Sequence, residues 1–320
     1  MSTLVTGGAG YIGSHVVRLL EQRGEQVVVV DDLSNGIPAR VPNATLVELD
    51  LSAADAESRL RAVMEEHAVT AVIHFAAKKQ VGESVERPLW YYRNNVEGLA
   101  NLLAAMESAD VTTMVFSSSA AVYGMPDVGI VPEKIDCRPI NPYGQTKLVG
   151  EWMIDNAARH GLRAIKLRYF NVAGAGWPEL ADTAVMNLIP IILNRAAAGR
   201  APVVFGDDYP TPDGTCIRDY VHVADLADAH IAALDHLGAG EIAESVFNVG
   251  TGRGASVLEV IDAMSAALGR DLTPEIAPRR PGDPPQLVAD VSAIERELGW
   301  RASRGLADIV ESAVPAELRP

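Results

Sequence analysis

The chain has 320 residues, 48% hydrophobic and 22% charged, the composition of a folded globular protein rather than a disordered or collagen-like one. A formal net charge of −15 argues against nucleic acid as the main partner, because that polymer is itself an anion. Two cysteines, Cys137 and Cys216, form no CxxC and are too few to frame a fold of this size, so a reduced, cytoplasmic setting is expected.

Strand-like and helix-like segments alternate from the first residues. Residues 3–6 are a short β-rich run, and residues 11–23 read as a helix that Gly24 ends. Residues 26–31 (QVVVVD) are a continuous apolar run, the pattern of a strand buried on both faces. A third strand covers 44–48, and Ser52 caps a helix running to 67. The fourth strand, 69–74, packs His74 at its end. A long helix follows at 88–108, a strand at 113–118, a helix at 142–160 and a sixth strand at 163–169.

Regularity breaks after Phe170. Gly, Pro and Asp cluster through 171–218 around one helix at 184–198; 223–236 is again helical and 245–249 again a strand. Two or three helices and the Pro-rich stretch APRRPGDPP complete the chain. Repeated βα units without hairpin signals predict an α/β fold, a doubly wound parallel sheet of Rossmann type. A smaller, interleaved α/β substrate domain is expected beside it. A nucleotide domain is expected over 1–170, with 219–250 returning to it, and the substrate domain over 171–218 and 251–320. No apolar run reaches membrane-spanning length and no signal-peptide pattern opens the chain, so no membrane partner is expected. His222 and His230 are eight residues apart, poor spacing for one helical face, and no metal site is expected.

TGGAGYIG lies between the first strand and the first helix. Gly8, Gly10 and Gly13 satisfy GxGxxG, and Gly7, Gly10 and Gly13 satisfy GxxGxxG. Glycine serves the tight turn, the backbone approach to a pyrophosphate and the close helix–strand packing, and the helix N-terminus then faces the phosphates. Asp31 ends the second strand, where an acid takes the adenosine ribose hydroxyls and favours NAD over its 2′-phosphorylated form. The alternative is that Asp31 and Asp32 simply open a surface turn with Ser34, Asn35 and Gly36. Asp50 and Leu51 follow the third strand, where an adenine edge would lie. HFAAKK (74–79) follows the fourth, with small Ala76 and Ala77 where backbone must approach a ligand.

YGQTK puts Tyr143 and Lys147 at i and i+4 on one helical face. A phenol is a poor base at neutral pH, and a nearby ammonium is expected to lower its pKa. Ser119, just after the fifth strand, can hydrogen-bond the substrate hydroxyl that loses its proton. The three suit removal of an O–H proton while a hydride leaves the same carbon. Tyr123, in the neighbouring VYG, is the alternative tyrosine, but no lysine stands four residues on.

TGGAGYIGSH, VDDLSNG, HFAAKKQVGESVERPLWYYRNNV, FSSSAAVYG, NPYGQTKLVGE, LRYFNVAGA, GTCIRDYVHVADLADAH and APRRPGD together resemble the extended short-chain dehydrogenase/reductase family, and within it the branch of UDP-glucose 4-epimerases. The resemblance covers essentially the whole chain, in order. It implies that Ser119, Tyr143 and Lys147 are the catalytic set. It implies NAD contacts at Gly7, Gly10, Tyr11, Ile12, Gly13, Asp31, Asp50, Leu51, Phe75, Ala76, Ala77, Lys79, Asn94 and Tyr169, besides Tyr143 and Lys147. UDP-sugar contacts are implied at Asn171, Asn187, Leu188, Phe205, Arg218, Arg280 and Asp283, with Ser119 and Tyr143. Arginine forks suit a diphosphate.

The implied reaction is UDP-glucose/UDP-galactose interconversion by transient oxidation at sugar carbon 4, with NAD as cofactor. Leu287 stands where the family's side chain abuts carbon 2 of the hexose. There a bulky Tyr accompanies exclusion of N-acetylated sugars, so UDP-N-acetyl sugars, or UDP-glucuronate, are alternative substrates. Ala121 replaces the family's common Thr and removes a hydroxyl near the substrate. FNVAGA replaces the frequent FNPVGA. Ala120 and Ala121 offer no acidic pair for a 4,6-dehydratase, and the intact Ser–Tyr–Lys set argues against a non-catalytic NAD sensor. Family members pair through a helix bundle. The large apolar residues Leu89, Leu102, Leu103, Leu148, Trp152 and Ile154 on the helices at 88–108 and 142–160 fit a homodimer.

Overall fold

A computed structural model describes residues 1–240, 243–280 and 282–319. Seven strands form one sheet, in the spatial order Val246–Val249, Arg163–Tyr169, Thr113–Ser119, Ala71–His74, Ser2–Thr6, Gln26–Asp31, Thr45–Glu48. Every pairing in it is parallel. Parallel strands need crossovers, and helices on both faces supply them. One face packs Tyr11–Gln22 and Val223–Ala239 around Val5, Val29, Ile73, Ile165 and Phe247. The other packs Ala56–Glu66 and Gly98–Ser108 around Leu4, Val30, Val72 and Met114. Alternate residues of each strand thus fill opposite cores, which explains the unbroken apolar runs in the sequence.

The strand order reverses direction at Ser2–Thr6, with Gln26–Asp31 on one side and Ala71–His74 on the other. Loops leaving the carboxyl ends of these strands diverge there and open a crevice, the place where such sheets take ligands.

A second sheet holds Gly254–Ser256, Ile217–His222, Gln286–Ala289 and Ile130–Val131, with Asn171–Ala173 also paired to Ile217–His222. Val203–Phe205 and Glu275–Ala277 make a separate two-stranded pair. Around these lies a smaller core that includes Ile189, Ile192, Val260, Met264 and Ile309. The strand Ile217–His222 spans the expected boundary at 219 and belongs to the second sheet. The helix and strand after it pack with the first.

Several local expectations change. Ser52 does not cap a helix: its N–H and hydroxyl both donate to Asp50 Oδ1, at 2.8 and 2.7 Å, and the helix begins only at Ala56. The helix expected from 184 begins at Leu188, because Asp182 first turns the chain by accepting the Ala184 N–H. The short helix Val81–Glu86 was not foreseen, nor were the brief strands of the second sheet. The path over 88–108 is helical throughout, but Arg93–Glu97 is π-wound. Its cause is Asn95, which turns inward: its amide donates to the Lys78 carbonyl and to Thr146 Oγ1, and its carbonyl accepts the Lys78 N–H.

Among the described residues, no helix is long and apolar enough to cross a membrane.

Candidate active site

The first strand delivers its loop straight onto the helix Tyr11–Gln22. Gly7 has φ of +70°, and a Cβ on it would stand 2.7 Å from the Ala76 nitrogen. A Cβ on Gly13 would meet the Gly7 carbonyl oxygen at 2.3 Å. Only glycine permits this approach of loop, helix and neighbouring strand. Gly10 precedes the helix with no side-chain cap, and no acid occupies the first turn. The helix therefore presents bare N–H groups and the positive end of its dipole to the crevice.

Asp31 is buried. Its Oδ2 accepts the Ala9 N–H at 3.0 Å and its Oδ1 the Leu33 N–H at 2.9 Å. Burial raises its pKa, and those two hydrogen bonds oppose the rise. The surface-turn role falls to Asp32 instead, whose Oδ1 accepts from the Ser34 N–H and hydroxyl. Lys78 bonds Asp32 Oδ2 at 2.8 Å and Ser34 Oγ at 2.7 Å, tying the second-strand loop to the fourth-strand loop. A glycine cradle at a helix N-terminus, with a fixed acid at the next strand end, fits a dinucleotide.

Asn141 starts the helix Pro142–Ala158 by accepting the Gly144 N–H at 2.9 Å, with Pro142 in its first turn. Tyr143 and Lys147 lie on the stripe this helix turns inward, and both are buried. Ser119 ends its strand opposite them. Lys147 Nζ donates to the Ser117 carbonyl at 2.7 Å and sits 5.1 Å from the Phe116 ring centre. Burial lowers the Lys147 pKa to about 8, with Glu151 opposing. Burial also raises the Tyr143 pKa, opposed by a hydrogen bond with Ser119. The lysine-induced lowering expected for the phenol is thus not the dominant effect in the protein alone. Desolvation is the dominant one.

Tyr123 is a different case. Its hydroxyl donates to Asn248 Oδ1 at 2.6 Å and accepts from Arg168 at 3.1 Å, in the core and away from the crevice. His222 and His230 are each used internally, by Ser312 and by Ser117 and Leu226. Among the described residues, no His, Cys, Asp or Glu cluster could hold a metal ion.

Beyond Tyr143 the crevice continues into the second sheet. Arg218 donates to the Ile217 and Pro284 carbonyls at 2.8 Å each and stands 3.4 Å from Asp283. Arg280 lies over the Phe205 ring, 3.7 Å from its centre. Leu287 pairs in register with Arg218. Asn187 donates to Asp182 at 2.9 Å, just before the helix that Leu188 begins.

One cleft of about 1780 Å³ gathers all of these. Gly7, Gly10, Tyr11, Ile12, Gly13, Asp31, Asp50, Leu51, Phe75, Ala76, Ala77, Lys79, Asn94 and Tyr169 line its first part. Ser119, Tyr143 and Lys147 line the same cleft, as do Asn171, Asn187, Leu188, Phe205, Arg218, Arg280, Asp283 and Leu287. Each residue expected at the site lines this cleft.

Residues 3–250 match the model of the NAD dependent epimerase/dehydratase family. The chain belongs to that family. It is 49% identical to the UDP-glucose 4-epimerase of Azospirillum brasilense, over 98% of this chain and 91% of that protein. The Stenotrophomonas maltophila UDP-glucose-4-epimerase, solved with NAD and formylated UDP-arabinopyranose, superposes with a TM-score of 0.92 at 43% identity, covering 98% of this chain and 96% of that one. The Campylobacter jejuni UDP-Glc/GlcNAc 4-epimerase does so at 0.85 and 40%, covering 98% and 97%.

In this epimerase/dehydratase family member, sequence reasoning missed Lys78, Asn95 and Glu151. Lys78 was hidden by its neighbour Lys79, since nothing local says which lysine turns inward. Asn95 stands beside Asn94 and is exposed as the structural one only by the π-wound turn. Glu151 could have been found, because it continues the 143, 147 stripe by one more turn.

Proposed function

We propose that this protein interconverts UDP-glucose and UDP-galactose by transient oxidation at carbon 4 of the sugar, keeping NAD bound throughout. The observation that carries this reading is that Ser119, Tyr143 and Lys147 line one cleft together with a glycine cradle and with Arg218 and Arg280. Bound NAD supplies the hydride acceptor and donor and, while oxidised, a positive ring charge. Tyr143 Oη takes the carbon-4 hydroxyl proton and later returns it. The Ser119 hydroxyl orients that sugar oxygen. Lys147 provides the buried cation that favours the phenolate. Arg218 and Arg280 hold the diphosphate while the 4-keto sugar turns to present its other face.

Leu287 favours a second substrate reading, tolerance of an N-acetyl group, because it lines the cleft with an aliphatic side chain beside Arg218.

The same reading makes the chain a homodimer joined through the helices Pro142–Ala158 and 88–108. Leu89 is 82% exposed and Trp152 56% exposed, which supports it, whereas Leu102, Leu148 and Ile154 are spent on the chain's own core. Light scattering at micromolar concentration that gave a monomer mass would count against it. The expected division, 1–170 with 219–250 for the cofactor and 171–218 with 251–320 for the sugar nucleotide, goes with this reading, except that Ile130–Val131 and Ile217–His222 pair in the second sheet. A reducing, cytoplasmic setting goes with two free thiols, Cys137 and Cys216.

The deciding experiment incubates the purified protein with a panel of UDP-sugars and no added cofactor. UDP-galactose from UDP-glucose is the expected product. Neither product nor reduced-nicotinamide absorbance would leave a binding module in place of the enzyme.

A further inference from the structure

Three groups at this site come from two elements: Ser119 from a strand, Tyr143 and Lys147 from a helix. Their spacing depends on how that helix is registered against that strand. Residues 143, 147 and 151 recur every fourth position and share the sheet-facing side of the helix.

Glu151 is buried, its side chain 3% exposed, and that of its partner Arg168 is 7% exposed. Glu151 Oε1 accepts from Ser118 Oγ at 2.5 Å and from Arg168 Nε at 2.9 Å. Its Oε2 accepts from Arg168 Nη2 at 2.6 Å. Arg168 stands on the next strand, Arg163–Tyr169, and its remaining nitrogen bonds Tyr123 and the Glu133 carbonyl. Ser118 lies between Ser117, whose carbonyl holds Lys147, and Ser119. Two successive strand residues therefore grip two successive turns of the helix.

We propose that Glu151 is a positioning residue: through Ser118 and Arg168 it fixes the Tyr143–Lys147 helix at the register that brings both side chains to Ser119. Replacing such a buried ion pair by apolar groups of equal size is often neutral for stability. What a bidentate pair adds is direction: it anchors Glu151 to the strand Arg163–Tyr169, and in that orientation Glu151 accepts from Ser118, the residue before Ser119. The inference rests on the epimerase reading above.

A second consequence concerns charge. Lys147, four residues after Tyr143 on the same helix face, is faced by Glu151, the Ser117 carbonyl, the Phe116 ring and His74, which burial keeps neutral with its pKa at about 3. Glu151 is faced by Lys147, Ser118 and Arg168, with Tyr123, Glu133 and Cys137 behind. Glu151 supplies the negative charge that opposes deprotonation of Lys147.

The test uses the full-length, NAD-loaded protein and two variants. Ser118→Ala removes the strand tie and leaves every charge in place. It should lower kcat by about tenfold or more, with KM for UDP-glucose, NAD content and the alkaline limb of the pH profile unchanged. Glu151→Gln removes tie and charge together. It should lower kcat similarly and also move the alkaline limb to lower pH. With active wild type, a Ser118→Ala enzyme of unchanged kcat overturns the proposal, as does a Glu151→Gln enzyme whose alkaline limb stays in place. An inactive wild type would sink the epimerase reading instead.

Discussion

The two ends of the cleft are built from different materials. The end assigned to the cofactor is main chain: a glycine loop, bare helix N–H groups and the carboxyl ends of parallel strands, with Asp31 itself held by two backbone donors. The end assigned to the sugar nucleotide is side chain: Phe205 and Arg218 come from one stretch of the sequence, Arg280 and Leu287 from another much further along. Backbone recognition tolerates little at its glycines because there is no room for a side chain to move aside. Side-chain recognition can be retuned one residue at a time. The cofactor end therefore suits an unchanging ligand, and the other end a ligand that varies from one relative to another.

The largest expected effect lies at the seam. Tyr143→Phe should leave NAD content and UDP binding intact while turnover falls by about 100-fold or more, the scale of a positioned base. Near-normal turnover would remove Tyr143 from the mechanism. Next comes Gly13→Ala, which drives a Cβ into the Gly7 carbonyl. It should weaken NAD retention by up to about 100-fold, the upper end of an overpacking cost of ~3 kcal/mol. Calorimetry should find UDP affinity unchanged; equal losses of both ligands would erase the distinction between the two ends.

Arg218→Lys probes the other side. Lysine cannot keep the two carbonyl bonds and still fork onto a diphosphate. KM for UDP-glucose should rise roughly tenfold, the worth of one charge-assisted hydrogen bond, while NAD absorbance of the purified protein stays as it was. The smallest effect is expected from Leu287→Tyr. It should shift the kcat/KM ratio of UDP-galactose to UDP-N-acetylgalactosamine by about fivefold toward the unsubstituted sugar. If the wild type turns over no N-acetylated sugar, or the ratio holds, Leu287 is not the gate.

The same contrast governs what could be read from the sequence. The first sheet is legible because its strands are buried on both faces and its glycines sit within a few residues of the strand they follow. Tyr143 and Lys147 are legible because helical periodicity places them together. The second sheet is not: Ile130–Val131 and Gly254–Ser256 are too short to show a period, and their partners are remote. Arg218 and Arg280 were found only through the resemblance, since a lone arginine looks the same on any surface. The burial of the Tyr143 phenol is not legible, because local spacing shows the neighbouring lysine but not the desolvation that raises the phenol's pKa in the protein alone.

A deletion of one residue inside Arg93–Glu97 would be more costly than its length suggests. A π-wound turn carries an extra residue. Restoring ordinary pitch would leave the flanking segments close to their present phase, because five residues at π pitch turn through about the same angle as four at α pitch. What the deletion would remove is the bulge that turns Asn95 inward, and with it the bonds of its amide to the Lys78 carbonyl and to Thr146 Oγ1. The Lys78 loop would lose its tie to the helix Pro142–Ala158 that carries Tyr143 and Lys147. Across lineages, this helix should therefore hold its residue count while surface loops such as 126–129 gain and lose residues freely.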